Sequence, residues 1–350
     1  MGQRQSIKVS KGMTWKGTVH YGCQLAEGAF GVLHQGVLDD TNHVSITTIT
    51  PGTIDPDELE MEFKVLENFR HRNLVSVLGV SCQDPCKVVM EELKLPLLMF
   101  LRAEGRALEY WHLMYVAVEV ARGMQYLHEK GYIHGDLAAQ NIWLGNRAKR
   151  EVKISHYGLA NLIKVEATRR GVSSPFSIKW SPPESYRTRK RSSSIPSVVP
   201  LVLLQNDVKQ NNPTGLRRQR SYTNSWLMVP EEEKHEHLTP DDNHRSLGIS
   251  TSLGDIWAFG VFLMELVTYG DKPYRGMTDS DVMLRVSEGY RLPAPSNCQP
   301  QLYSIMIRCW DKHPPSRPSF RQLKREISKF FKLEEQNKYT DKYGIISRLL

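Results

Sequence analysis

Cysteine is scarce in this chain: 350 residues hold five, Cys23, Cys82, Cys86, Cys298 and Cys309. An odd number without zinc-ligand spacing argues against a disulfide framework or a structural zinc site, and predicts reduced thiols in the cytosol. No apolar run reaches the roughly 18 residues of a membrane helix, and no hydrophobic signal core follows Met1. Neither a spanning segment nor a secretory leader is therefore expected, and the chain reads as soluble. What is present is 40% hydrophobic content, enough for one two-lobed globular unit. That unit would take up roughly 250 to 300 residues, with extensions.

The most informative absences lie inside motifs. His134-Gly135-Asp136-Leu137-Ala138-Ala139-Gln140-Asn141 is followed, a short interval later, by Val152-Lys153-Ile154-Ser155-His156-Tyr157-Gly158. The first string resembles the H-R-D-L-A-A-R-N catalytic loop of protein tyrosine kinases. That resemblance implies that Asp136 receives the substrate hydroxyl proton and that Asn141 holds a metal ion. The second string stands where the family carries its metal-binding D-F-G, and His156 replaces the Asp. An imidazole has no negative charge and suits zinc or copper, so magnesium on Asn141 and phosphates alone would be held weakly.

Two strands are expected from Thr18 to Val37, around Leu25-Ala26-Glu27-Gly28-Ala29-Phe30-Gly31-Val32, which resembles the Gly-rich loop over the nucleotide phosphates. Ala26 replaces the first glycine, whereas Gly28, Phe30, Gly31 and Val32 are kept. The next strand, Val44-Ser45-Ile46-Thr47, aligns with V-A-I-K, and Thr47 takes the place of the phosphate-binding lysine. No Lys or Arg lies between Ala26 and Ile49 to substitute for it. A short hydroxyl stem has neither the charge nor the reach to grip phosphates.

On a helix expected over 57–68, Glu62 falls at the glutamate that pairs with that lysine in the family. An inward, unpaired carboxylate is costly, so Glu62 is expected to turn outward or to accept local donors such as Thr47. The resemblance also outlines an ATP pocket with weak or no magnesium: Gly28, Gly31, Val32 and Ser45 above, Met90 as gatekeeper, Glu91 and Leu93 on the hinge, and Leu144 as the floor.

Regulatory parts are missing in the same way. Gly135 stands where the family has the arginine that binds a phosphorylated activation loop, and no tyrosine occurs between Leu159 and Glu184. Structural parts are retained. Glu184 and Arg317 match the buried ion pair that ties the activation segment down, and Asp255, Trp257 and Gly260 match the central helix. Leu66, Val77, His134 and Tyr157 fall at the stack that bridges the lobes, and residues 111–130 carry a core-helix pattern. Lys272-Pro273-Tyr274, Cys309-Trp310 and Arg317-Pro318-Ser319-Phe320 resemble the tyrosine-kinase branch in particular.

The resemblance implies an α+β, two-lobed protein-kinase-like fold over 17–331, with an N-lobe of about 17–93 and a C-lobe of about 94–331. A flexible segment 1–16 precedes it and a tail 332–350 follows. An insertion over 187–250, rich in Arg, Ser, Pro and Asn, is expected to be mostly disordered. Its Arg187, Arg189, Lys190, Arg191, Arg217, Arg218 and Arg220 carry much of the net charge of +8, which suits an anionic membrane surface or an acidic partner. Nucleic acid is not expected, since no binding fold for it is visible. Met1-Gly2-Gln3-Arg4-Gln5-Ser6 matches the N-myristoylation pattern at Gly2, with Arg4, Lys8, Lys11 and Lys16 as a basic second signal.

Together these features predict a cytoplasmic, tyrosine-kinase-like pseudokinase, membrane-associated where Gly2 is acylated, whose partners are signalling proteins such as an active kinase or a receptor. The competing expectation is a slow protein tyrosine kinase that transfers the ATP γ-phosphate, supported by Asp136, Asn141 and the substrate-side motifs. A membrane-tethered adaptor overlaps with the first reading.

Overall fold

The alternating apolar positions of the first third fold as strands, and the helical periodicities of the rest gather around one central buried helix. The structure, a computed structural model, describes residues 6–7, 18–28, 31–83, 85–145, 151–170, 178–186 and 251–338. The N-lobe sheet consists of β1 (Ser6–Ile7), β2 (Val19–Gly28), β3 (Gly31–Leu38), β4 (Asn42–Ile49), β5 (Val77–Ser81) and β6 (Lys87–Glu91). It is antiparallel throughout, in the order β1-β2-β3-β4-β6-β5. The β2–β3 hairpin closes with Gly28 opposite Gly31, and Gly31 has φ +129. A Cβ there would meet Thr48 O at 2.0 Å, so only glycine fits this close approach.

Helix α1 (Pro56–Leu66) starts where Asp55 accepts hydrogen bonds from the Asp57 and Glu58 amides, with Pro56 in the first turn. It buries Leu59, Phe63 and Leu66 at i, i+4 and i+7, the first two in the N-lobe cluster and Leu66 in the larger cluster of the C-lobe core.

The C-lobe is built on α3 (Tyr110–Glu129) and α5 (Ser252–Val267), with α2 (Leu97–Glu104), α6 (Asp279–Ser287), α7 (Pro300–Cys309) and α8 (Phe320–Lys338) around them. Helix α5 is buried around its whole circumference from Asp255 to Val267, and Trp257, Phe259 and Phe262 are fully buried. Asp255 in its first turn accepts from the His134 and Gly135 amides at 2.9 Å each, which fixes the catalytic-loop backbone to the core. A small sheet of β7 (Leu95–Pro96), β8 (Ile142–Leu144) and β9 (Val152–Ile154) lies beneath the cleft. The architecture is the expected α+β, two-lobed one.

Two features differ from expectation. The start of the activation segment is a helix, α4 (Leu159–Arg169), whose Leu159 and Ile163 pack into the N-lobe cluster. Helix α8 runs on to Lys338, through the boundary expected at 331. Gly2, the basic residues of the N-terminus, Phe30 and the insertion over 187–250 lie outside the described residues.

Candidate functional site

The catalytic loop carries its polar pair in place. Asn141 Nδ2 donates to both the backbone oxygen and the carboxylate Oδ2 of Asp136, at 2.7 Å each. Asp136 is half-buried as a residue, but its carboxyl is enclosed. Burial pushes its pKa up to about 6, against the opposing pull of Lys164 and the Asn141 hydrogen bond. Lys164 reaches in from α4 and donates to Gly135 O at 2.8 Å. A cation from the activation segment thus sits against the loop at the very residue where an arginine was expected and Gly135 stands.

His134 is fully buried. It accepts from the Asp136 amide at Nδ1 and lies 3.1 Å from Ser155 O through Nε2, which sets its tautomer. Burial lowers its pKa to about 4, so it is neutral. Tyr157 is buried and donates to Val75 O at 2.6 Å. Leu66, Val77, His134 and Tyr157 all lie inside the molecule or pack against its core, as the stack across the lobes requires.

Thr47 and His156, the two substituted positions, have found each other. His156 Nε2 lies 3.2 Å from Thr47 Oγ1 across the cleft, and its Nδ1 lies 2.8 Å from Ser155 Oγ. The imidazole pKa is lowered to about 4 by burial, with a smaller contribution from His134, so no charge stands here at neutral pH. His156 has φ +60, a conformation that costs a non-glycine residue about 1 kcal/mol or more and is held here by these contacts. A phosphate-gripping ammonium and a metal-binding carboxylate are replaced by one neutral hydrogen bond.

Glu62 does not turn outward, nor does it bond Thr47. It is 6% exposed, and its Oε1 has no hydrogen-bond partner. It points at Gly158, where a Cβ would stand 2.5 Å from Glu62 Oε1 and 2.0 Å from the Tyr132 hydroxyl. The expectation failed because the burial cost is met by protonation instead of rotation: desolvation raises the pKa to about 8.

The pocket floor also needs correction. Leu144 faces the C-lobe core, whereas Trp143 joins the N-lobe cluster that includes Leu33, Met90 and Leu93. Side chains alternate along β8, so a slip of one residue in reading the motif exchanged the two faces. Trp143 Nε1 donates to Ser155 Oγ at 3.0 Å. Hydrogen bonds therefore run from Trp143 through Ser155 and His156 to Thr47. Sequence reasoning missed Trp143 and Ser155, although β8 parity could have revealed the first.

Elsewhere Ser45 is fully buried, and its Oγ accepts from the Leu93 amide at 2.9 Å. Met90 is buried behind it. The Glu91 carboxylate accepts from Lys153 Nζ at 2.8 and 2.7 Å and from the Ser76 amide at 2.6 Å. Gly28, Gly31 and Val32 form the hairpin end as expected.

The activation segment is anchored at both ends. Arg169 pairs with Glu58 of α1 at 2.6 Å. Arg317 Nη1 and Nη2 grip Glu184 at 2.7 and 2.9 Å, with the guanidinium 5.1 Å from the centre of the Trp257 ring. Trp180 Nε1 donates to Glu265 at 3.0 Å, and Lys179 donates to Tyr274 O and Met277 O.

A β-rich lobe with a helix carrying Glu62, a hinge, an Asp–Asn catalytic loop and a bidentate Glu–Arg tie together define a protein-kinase domain. The family model for protein tyrosine and serine/threonine kinases matches residues 19–195 and 220–327, and the chain belongs to that family. Tyrosine-protein kinase FRK of Homo sapiens is 28% identical over 331 residues, covering 92% of this chain and 53% of the relative. The chain therefore spans about half the length of that relative. Among the described residues, no helix is long and apolar enough to cross a membrane and no cluster of ligating side chains suits a metal ion.

Proposed function

We propose that this domain has lost phosphotransfer and works through its surfaces as a tyrosine-kinase-like pseudokinase, a scaffold or allosteric partner for signalling proteins. The observation that carries the reading is the neutral Thr47–His156 hydrogen bond, which stands where ATP and magnesium would each need a charge. Phosphoryl transfer is mostly positioning and charge neutralisation, and Asn141 with phosphates alone is a poor magnesium site. ATP binding, where it occurs, is weak and gains little from metal.

Each lost charge-stabilising group costs roughly 10²- to 10³-fold, so transfer is expected roughly 10⁴- to 10⁶-fold below that of an intact kinase. The test is tyrosine phosphorylation by the purified chain with magnesium or manganese, alongside Asp136→Asn. Steady turnover abolished by that substitution would falsify the proposal.

A slow tyrosine kinase is the second reading, favoured by the Asp136–Asn141 contact, which retains the geometry of a base and its orienting amide. We place the protein in the cytoplasm, with membrane association through acylated Gly2 and the basic insertion, whose Ser192 and Ser221 follow basic clusters and suit phosphate control. Vesicle co-sedimentation with and without a myristoylated N-terminus tests that placement.

A further inference from the structure

Opposite the phosphate end of the cleft lies the hinge. In the family the backbone of the hinge, here Glu91 to Leu93, contacts the adenine ring. The Leu93 amide is already engaged: Ser45 Oγ, fully buried on β4, accepts its proton at 2.9 Å. A buried amide that has a partner gains little from exchanging it for another acceptor, and a displaced hydroxyl would itself need a new partner.

The walls of the slot are apolar and joined as well. Leu25 packs against the apolar cluster that contains Leu33, Met90, Leu93 and Trp143, so the roof and the floor of the slot belong to one continuous packed cluster. The floor is an indole, 4% exposed, and its Nε1–H···Oγ bond to Ser155 holds the ring in position. A bulky, fixed indole thus forms the floor of the slot.

We infer that Ser45 and Trp143 are specificity-determining residues that exclude adenine from this cleft, the hydroxyl by occupying the hinge amide and the indole by raising a bulky, fixed floor beneath it. This deepens the functional reading above and rests on it, but it concerns the nucleoside end and involves neither phosphate nor metal. The exclusion applies to any flat heterocycle that needs the Leu93 amide as donor.

The test is calorimetric titration of the full chain with adenosine, which has no phosphate. Wild type should show no saturable binding into the millimolar range. Ser45→Ala combined with Trp143→Leu should bind at least about tenfold tighter than the wild-type limit, the worth of one recovered hydrogen bond and an opened slot. Wild-type binding equal to that of the double variant overturns the inference, as does a cooperatively melting double variant that still fails to bind.

Should the double variant not fold, Ser45→Ala alone decides. A gain of about fivefold supports exclusion by the hydroxyl, and no gain overturns it. Adenosine binding by wild type without phosphotransfer would sink this inference and leave the pseudokinase reading standing. Phosphotransfer by wild type would sink that reading whatever adenosine does.

Discussion

Glu184 and Glu62 are the same residue type at two fastening points of one fold, and they end in opposite states. Glu184 is gripped by both terminal nitrogens of Arg317, whose side chain is completely enclosed. Glu62 is more deeply buried as a residue, and among the described residues no cation pairs with it. The first is held by the guanidinium and ties the activation segment to α5 and the segment before α8, while the second becomes a neutral acid beside Gly158 and Tyr132. The cost of burying a charge is met by a partner where one exists and by a proton where it does not.

The sharpest way to break this contrast is to remove the grip. Glu184→Ala leaves Arg317 buried without its anion and should cost about 3–5 kcal/mol in urea unfolding, or abolish folding. A loss below about 1 kcal/mol, typical of a surface pair, would mean that Glu184 and Glu62 do not differ in the way described.

Next comes Glu62→Gln, read against pH. The folded pKa of Glu62, about 8, lies above its unfolded value, so the folded state holds a proton that the unfolded chain has released. Its contribution is complete below the unfolded value of 4.5 and is lost as pH rises through 8. Relative to Glu62→Gln, wild type should therefore lose on the order of 3–4 kcal/mol of stability between pH 5 and pH 8. Chemical denaturation at the two pH values checks this, and an unchanged difference would place a hidden cation near Glu62.

The smallest effect belongs to Thr47→Val. It removes one partner of His156 but creates no buried charge, so about 1 kcal/mol is expected. A melting series that gave about 3 kcal/mol or more would move the Thr47–His156 contact into the class of the Glu184–Arg317 tie.

Much of the fold was legible because its fasteners are residues at fixed motif spacings: Glu184 and Arg317 stand in the expected contact, and Asp255, His134 and Tyr157 are buried at their motif positions. The cleft was only half legible. The missing lysine and aspartate can be read from single positions, but their mutual contact joins residues 109 apart in sequence and depends on tertiary closure. Trp143 escaped because strand parity, and not residue type, decides which neighbour faces the cleft. Helix α4 escaped because the stretch was matched to an activation segment by its flanking motifs, although Leu159, Ile163 and Ala167 already carry an i, i+4, i+8 rhythm. Glu62 was misread because sequence gives the price of a buried charge but not the option of a proton.

The Glu91 carboxylate has a mechanical consequence. It is bonded at once to the Ser76 amide ahead of β5 and to the Lys153 ammonium on β9, so the elbow between the lobes is strutted on both sides. Rotation of one lobe against the other would have to break the bonds to Lys153. A molecule braced in this manner holds its two lobes near one angle, so little ordering entropy is left to lose at the elbow.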